Sequence, residues 1–194
     1  MEAAMLGIGS RMPVTPEERE LPLHCKKVPK MNVEKLVTDH PELRDVARAI
    51  SDPTLFETVR VNEPSQSPIS LDDVTQYVRA GYCASFAREE IKSWGKAFTV
   101  VENKKGRRRF IMWPKDVNET LKDYKLDAAC LPSVQSMHEF ILKFEAAEVV
   151  DLDQAFCQIP LAPQIQPFFG FMVGEESFVM TVLPMGFTKA VDVI

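Results

Sequence analysis

The sequence predicts an α+β fold, with antiparallel hairpins and packed helices preceded by a helical and irregular N-terminal region. Three observations point to it. Residues 97–113 and 168–183 each read as two strand signals folded about a polar tip that contains glycine. Before and between them, apolar residues recur at three and four positions, as on amphipathic helices. The first 37 residues hold prolines and charges with no sustained period. A chain of 194 residues suffices for one sizeable core or two small lobes. The expected division is an irregular leader over 1–37, a helical region over 38–95, and the hairpin-bearing part over 96–194.

The opening MEAAMLGIGSRM has no basic stretch ahead of an apolar one, so no secretory signal is expected. Order is expected from Thr38. Leu43, Val46, Ala47 and Ile50 predict a helix over 41–50 with Pro41 in its first turn, and Asp52 would cap a short helix starting at Pro53. Residues 64–70, rich in Ser, Pro and Gln, read as a linker. Ser70 followed by Asp73 resembles a capping box and predicts a helix over 71–79, broken by Gly81. Phe86, Ile91 and Trp94 predict another over 84–94, ended by Gly95. Residues 114–132 are expected to be mostly loop, and Ser133 to start a helix over 134–142.

Between the hairpins, Val149 and Val150 lead into Asp151, while Ala155, Phe156 and Ile159 have the spacing of a helical turn. That reads as strand, carboxylate, turn. Asp151 suits either a cap for the turn or a carboxylate at the mouth of a core. The second hairpin runs into Leu183, Pro184, Met185, Gly186 and Phe187, where the proline and glycine flanking Met185 force an exposed, non-repetitive backbone.

Composition narrows the function. Apolar and charged fractions of 45% and 26% are those of an ordinary globular protein, and no apolar run is long enough to cross a bilayer. An intracellular chain without a membrane partner is expected, in cytoplasm or nucleus. A net charge of −5 argues against a surface coated in positive charge, but phosphate contacts depend on where the basic residues sit. The densest run is Lys104, Lys105, Arg107, Arg108 and Arg109. Cys25, Cys83, Cys130 and Cys157 contain no CxxC pair, and His24, His40 and His138 complete no zinc spacing. Reduced structural thiols are expected, with His24 beside Cys25 an isolated pair of possible ligands.

A basic hairpin, a strand ending in a carboxylate with an aromatic residue five positions on, and a Leu-Pro-x-Gly loop occur here in one order. From about Phe98 onward, roughly half of the chain, this order resembles the fingers and palm of a retroelement reverse transcriptase. The resemblance implies template-directed DNA synthesis by two-metal phosphoryl transfer, with RNA or DNA primer-template and deoxynucleotides as partners. In KKGRRRFIMWPKDVN, Arg109 takes the position of the phosphate-gripping arginine, supported by Lys104 or Lys105. In VVDLDQAFCQIPL, Asp151 is the implied catalytic carboxylate and magnesium ligand, with the Leu152 main-chain carbonyl nearby. Such sites hold two cations about 3.5–4 Å apart. Phe156 matches the ring that excludes a 2′-hydroxyl, and Asp153 is expected to be a surface acid. LPMGF matches the loop lining the nucleotide pocket, through Met185 and Gly186. Many relatives carry Gln where Met185 stands, and Lys and Pro where Thr188 and Val191 stand.

The family's later hairpin with two adjacent aspartates, usually YxDD, is not among these residues. The resemblance therefore implies the fingers and a partial palm, inactive alone, with the remainder of the same polymerase as a possible partner. The alternative expectations are a non-catalytic RNA-binding or ribonucleoprotein scaffold derived from that fold, and an α/β interaction module that binds no nucleic acid.

Overall fold

The computed structural model describes residues 10–125, 133–146, 148 and 152–193. Mixed helix and antiparallel sheet make the fold α+β. In chain order the elements are β1 (Ser10–Arg11), α1 (Pro16–Arg19), α2 (Val33–Asp39), α3 (Arg44–Ser51), α4 (Leu71–Ala80), β2 (Cys83–Ser85), β3 (Lys96–Glu102), β4 (Arg107–Trp113), α5 (Lys115–Leu121), α6 (Val134–Ile141), β5 (Gly170–Val173), β6 (Glu176–Met180) and α7 (Ala190–Val193). Among the described residues these form two three-stranded sheets, in the orders β1-β3-β4 and β2-β6-β5.

The basic hairpin pairs β3 with β4 along its whole length, from Lys96 opposite Trp113 to Glu102 opposite Arg107. A 3-10 turn over Asn103–Lys105 and a left-handed Gly106 (φ 56°) reverse the chain. The second hairpin, β5 with β6, turns through Gly174 (φ 60°) and Glu175, closed by Val173 opposite Glu176. The connection is two residues long, and its left-handed glycine suits the twist of the flanking strands.

Aromatic side chains join these layers. Tyr77 of α4 stacks on Phe110 of β4 at 4.1 Å between ring centroids, and Phe110 meets Phe171 of β5 edge-on at 5.9 Å. Phe56, Phe169, Phe171, Val74, Met112 and Val182 are almost fully buried around them. Ser70 caps α4 by accepting from the Asp73 N–H, and Gly81 (φ 77°) ends it, so both predicted signals of that helix act as expected. Asp52 likewise caps the 3-10 segment Pro53–Phe56. The helix expected over 41–50 is a 3-10 turn over Pro41–Leu43 followed by α3.

Four expectations are corrected. Order does not begin at Thr38: β1 pairs with β3, and α2 forms behind an Asn32 cap. The helix expected over 84–94 is instead β2, a 3-10 turn over Arg88–Glu90 and extended chain. β6 has an open edge there, and Cys83–Ser85 fill it opposite Phe178–Met180. The loop expected from 114 contains α5, whose Val117 and Leu121, four apart, are both buried. The linker reading of 64–70 also misses a tertiary anchor, since the Ser67 hydroxyl is buried and accepts from the Ala97 N–H.

Helix α6 forms behind the predicted Ser133 cap, and its residues are exposed, with Phe140 touching Phe144 edge-on at 5.0 Å. The expected strand over Val149, Val150 and Asp151 lies outside the described residues. Among the described residues, no helix is long and apolar enough to cross a membrane.

Candidate phosphate-binding site on the basic hairpin

Strand alternation sorts the three consecutive arginines of β4. Residues 107 and 109 share a face and residue 108 takes the other. Arg108 is accordingly buried, and its guanidinium meets Asp73 of α4 through two bonds, 2.5 and 2.9 Å long. Its Nε donates to the Leu21 carbonyl at 2.7 Å. That arginine is committed to the core. Arg107 and Arg109 are partly buried, on either side of one carboxylate, Glu102.

Glu102 stands directly opposite Arg107 in the ladder and diagonal to Arg109, positions within reach of long side chains. Its Oε2 accepts from Arg107 Nε at 2.5 Å and its Oε1 from Arg109 Nη2 at 2.6 Å. Burial raises its proton affinity, but the Arg107 hydrogen bond and the charges of Arg109, Arg107 and Lys105 outweigh that and leave it below the usual carboxylate range. Lys104 and Lys105 are exposed at the tip.

The loop containing Met185 docks onto this hairpin. Arg109 Nη1 lies 3.8 Å from Met185 Sδ, and the Met112 N–H donates to the Met185 carbonyl at 3.2 Å. Gly186 (φ 121°) permits the approach, because a Cβ there would come within 2.5 Å of the Met112 carbonyl oxygen. Asn118 of α5 fixes the far side, donating to the Gly186 carbonyl at 2.8 Å and accepting from the Thr188 N–H at 2.7 Å. Two predicted site residues, Arg109 and Met185, are thus in contact although 76 positions apart.

A strap of chain ahead of α2 ties the hairpin to the segment after Asp151. Backbone bonds join the Arg108 N–H to the Pro22 carbonyl (2.8 Å) and the His24 N–H to the Arg108 carbonyl (2.7 Å). Further along, the Met31 N–H donates to the Gln158 carbonyl at 2.7 Å. Between these anchors, Arg107 Nη1 lies 2.9 Å from His24 Nδ1, and His24 Nε2 lies 3.3 Å from Asp153 Oδ1. Arginine only donates, so Nδ1 is the acceptor and the imidazole proton sits on Nε2, facing the carboxylate. Burial and the Arg107 charge lower the proton affinity of His24 more than Asp153 restores it. Lys26 Nζ completes the series 2.9 Å from Asp153 Oδ2.

Asp153 is exposed, as expected of a surface acid, and is a link in a polar chain running Glu102, Arg107, His24, Asp153, Lys26. The side chain of Leu152 is exposed. Phe156, on the 3-10 segment Ala155–Gln158, is partly buried against the main core. Gln154 before it holds a left-handed backbone (φ 49°), and its side-chain carbonyl has no hydrogen-bond partner. Asp151, the implied metal ligand, lies outside the described residues. Among the described residues, no three His, Cys, Asp or Glu side chains gather as a metal ion requires.

The sequence reading missed Glu102 and Lys26, took Arg107 only as part of the basic run, and noted His24 only as a possible ligand beside Cys25. The adjacency of Glu102 and Arg107 across the hairpin follows from the register and was available in principle. The roles of His24 and Lys26 depend on backbone bonds from the strap, which leave no mark in side-chain spelling. Cys25, Cys83 and Cys157 are free thiols that burial pushes up to about 11, 12 and 12, so they remain protonated and unreactive at neutral pH. Cys130 lies outside the described residues. No family model matches the chain, and no curated protein matches it.

Proposed function

We propose that the chain is the fingers and leading palm portion of a retroelement-type reverse transcriptase, and that its basic hairpin grips the phosphates of a nucleotide or primer-template. The observation that carries this reading is the contact of Arg109 with Met185. Two motifs far apart in the chain, each assigned to the nucleotide pocket by resemblance, meet at 3.8 Å. The polar chain through His24 and Asp153 supports it by tying the hairpin to the segment that follows Asp151. Arg109 would supply paired donors to phosphate oxygens, and Lys104 and Lys105 mobile point charges. Phe156 would face the sugar. Magnesium would be held through Asp151 and the Leu152 carbonyl, and the activity proposed for the described residues is binding of a nucleotide or primer-template.

A second reading, a non-catalytic RNA-binding scaffold, uses the same hairpin. It is favoured by Met185, whose thioether replaces an amide that would hydrogen-bond more strongly. Fluorescence anisotropy of a labelled primer-template across a salt series tests the shared part. The expected affinity falls with salt, and Lys104→Gln with Lys105→Gln lowers the log-log slope by about 1–2. A salt-independent affinity, or one unchanged by these substitutions and by Arg109→Gln, would end both readings. Deoxynucleotide triphosphate binding that is lost in Arg109→Gln favours the polymerase reading over the scaffold. Magnesium-dependent extension abolished by Asp151→Ala would show that the carboxylates present suffice.

A further inference from the structure

We propose that Glu102 is an internal counter-anion for Arg107 and Arg109, and that a polyphosphate ligand binds by displacing it. The inference rests on the phosphate-binding reading above and concerns how that same site is regulated. Each Glu102 oxygen is committed to a different guanidinium, at 2.5 and 2.6 Å. Neither arginine is then free to present its full fork. Arg107 spends Nε on Glu102 and Nη1 on His24, while Arg109 spends Nη2 on Glu102 and turns Nη1 toward a thioether, a weak acceptor.

Phosphate and carboxylate oxygens accept from guanidinium in the same way, so the exchange of one for the other is like for like. The charges favour it. A tripolyphosphate brings several negative charges against the one it replaces, and the exposed Lys104 and Lys105 at the hairpin tip add attraction. Glu102 is itself ionised at neutral pH, as its lowered proton affinity requires, and is therefore a genuine competitor. Held this way, the two arginines are kept in place and shielded from weak monoanions. The opposing account makes Glu102 a scaffold that only aims the arginines. The two accounts predict opposite signs for its neutralisation.

Calorimetric titration of the full chain with sodium tripolyphosphate, at fixed ionic strength and neutral pH, separates them. Glu102→Gln keeps the side-chain length and removes the charge; it is expected to bind about tenfold more tightly than the natural chain. Arg109→Gln should lose binding in either background. As a second measurement on the unsubstituted protein, the Arg107 Nε–H resonance should shift on saturation as its partner changes. Equal or weaker binding by Glu102→Gln, or an Arg107 Nε–H unmoved at saturation, overturns the displacement proposal while leaving an Arg109-dependent site standing. Binding that is absent from all variants, or indifferent to Arg109→Gln, overturns the phosphate-binding reading and the proposal with it.

Discussion

At the scale of single residues, the most consequential pair outside the candidate site is Asp73 with Arg108. Both are buried, and the two bonds between them are the bidentate geometry that makes guanidinium–carboxylate pairs specific. Removing one partner leaves a charge stranded in the core. Asp73→Ala is therefore expected to destabilise the fold by about 3–5 kcal/mol. Replacing both, by Asp73→Leu with Arg108→Met, should recover most of that loss because no orphaned charge remains. Urea denaturation of the three proteins checks this, and a single substitution costing less than about 1 kcal/mol would show that water reaches the pair. Arg107 and Arg109, one position to either side, should cost less when truncated, since they are only partly buried and solvent screens their pairing with Glu102 more than that of the core pair. The candidate site and the buried ion pair thus lie on opposite faces of one strand.

At the scale of elements, the loop over Pro184, Met185 and Gly186 is held by backbone contact and tolerates little change. Gly186→Ala would put a methyl within 2.5 Å of the Met112 carbonyl oxygen at a backbone angle that suits glycine. A loss of more than about 1 kcal/mol is expected, together with weaker phosphate binding, because Met185 is displaced from Arg109. Gly106→Ala tests the same left-handed strain at φ 56° with open space around it, and should cost less. Equal thermal midpoints for the two variants would show that the close approach to β4 is unimportant. Much of this element plan was legible. Ser70 and Gly81 bracket α4, and the basic tip turns the first hairpin as its spelling requires. What failed was decided by tertiary contact. Residues 83–85 become strand because β6 offers a free edge, and residues 115–121 become helix because the core accepts Val117 and Leu121. At the candidate site, motif order singled out Arg109 and Met185, which lie in contact, whereas His24 and Lys26 arrive on a strap whose route is written in main-chain bonds.

At the scale of the whole molecule, that strap joins parts of the chain that are distant in sequence, and His24 sits in the middle of the join. The charged groups facing it are Arg107 and Arg109 of β4, Glu102 of β3, and Asp153 just ahead of the 3-10 segment Ala155–Gln158, with Lys26 on the strap itself pairing with Asp153. In the folded protein the imidazole takes up a proton less readily than the ordinary value of 6.5, because of burial and then the Arg107 charge. Protonation would turn Nδ1 from acceptor to donor directly opposite an arginine N–H. The unfolded chain therefore binds more protons as the pH falls below 6.5, and the His24 contribution to stability has the corresponding sign. It is complete above that value and is lost as the pH falls through the folded-state value. Glu18, Glu102 and Asp153 are also lowered, so their contributions are lost only in a more acidic range. The urea midpoint of the natural protein should thus fall between about pH 7.5 and about pH 5.5. His24→Gln, which offers a carbonyl to Arg107 and an amide to Asp153 without titrating, should remove most of that slope. Parallel pH dependence in the two proteins would mean that the strap is held by its backbone bonds alone and that the imidazole does not sense acid.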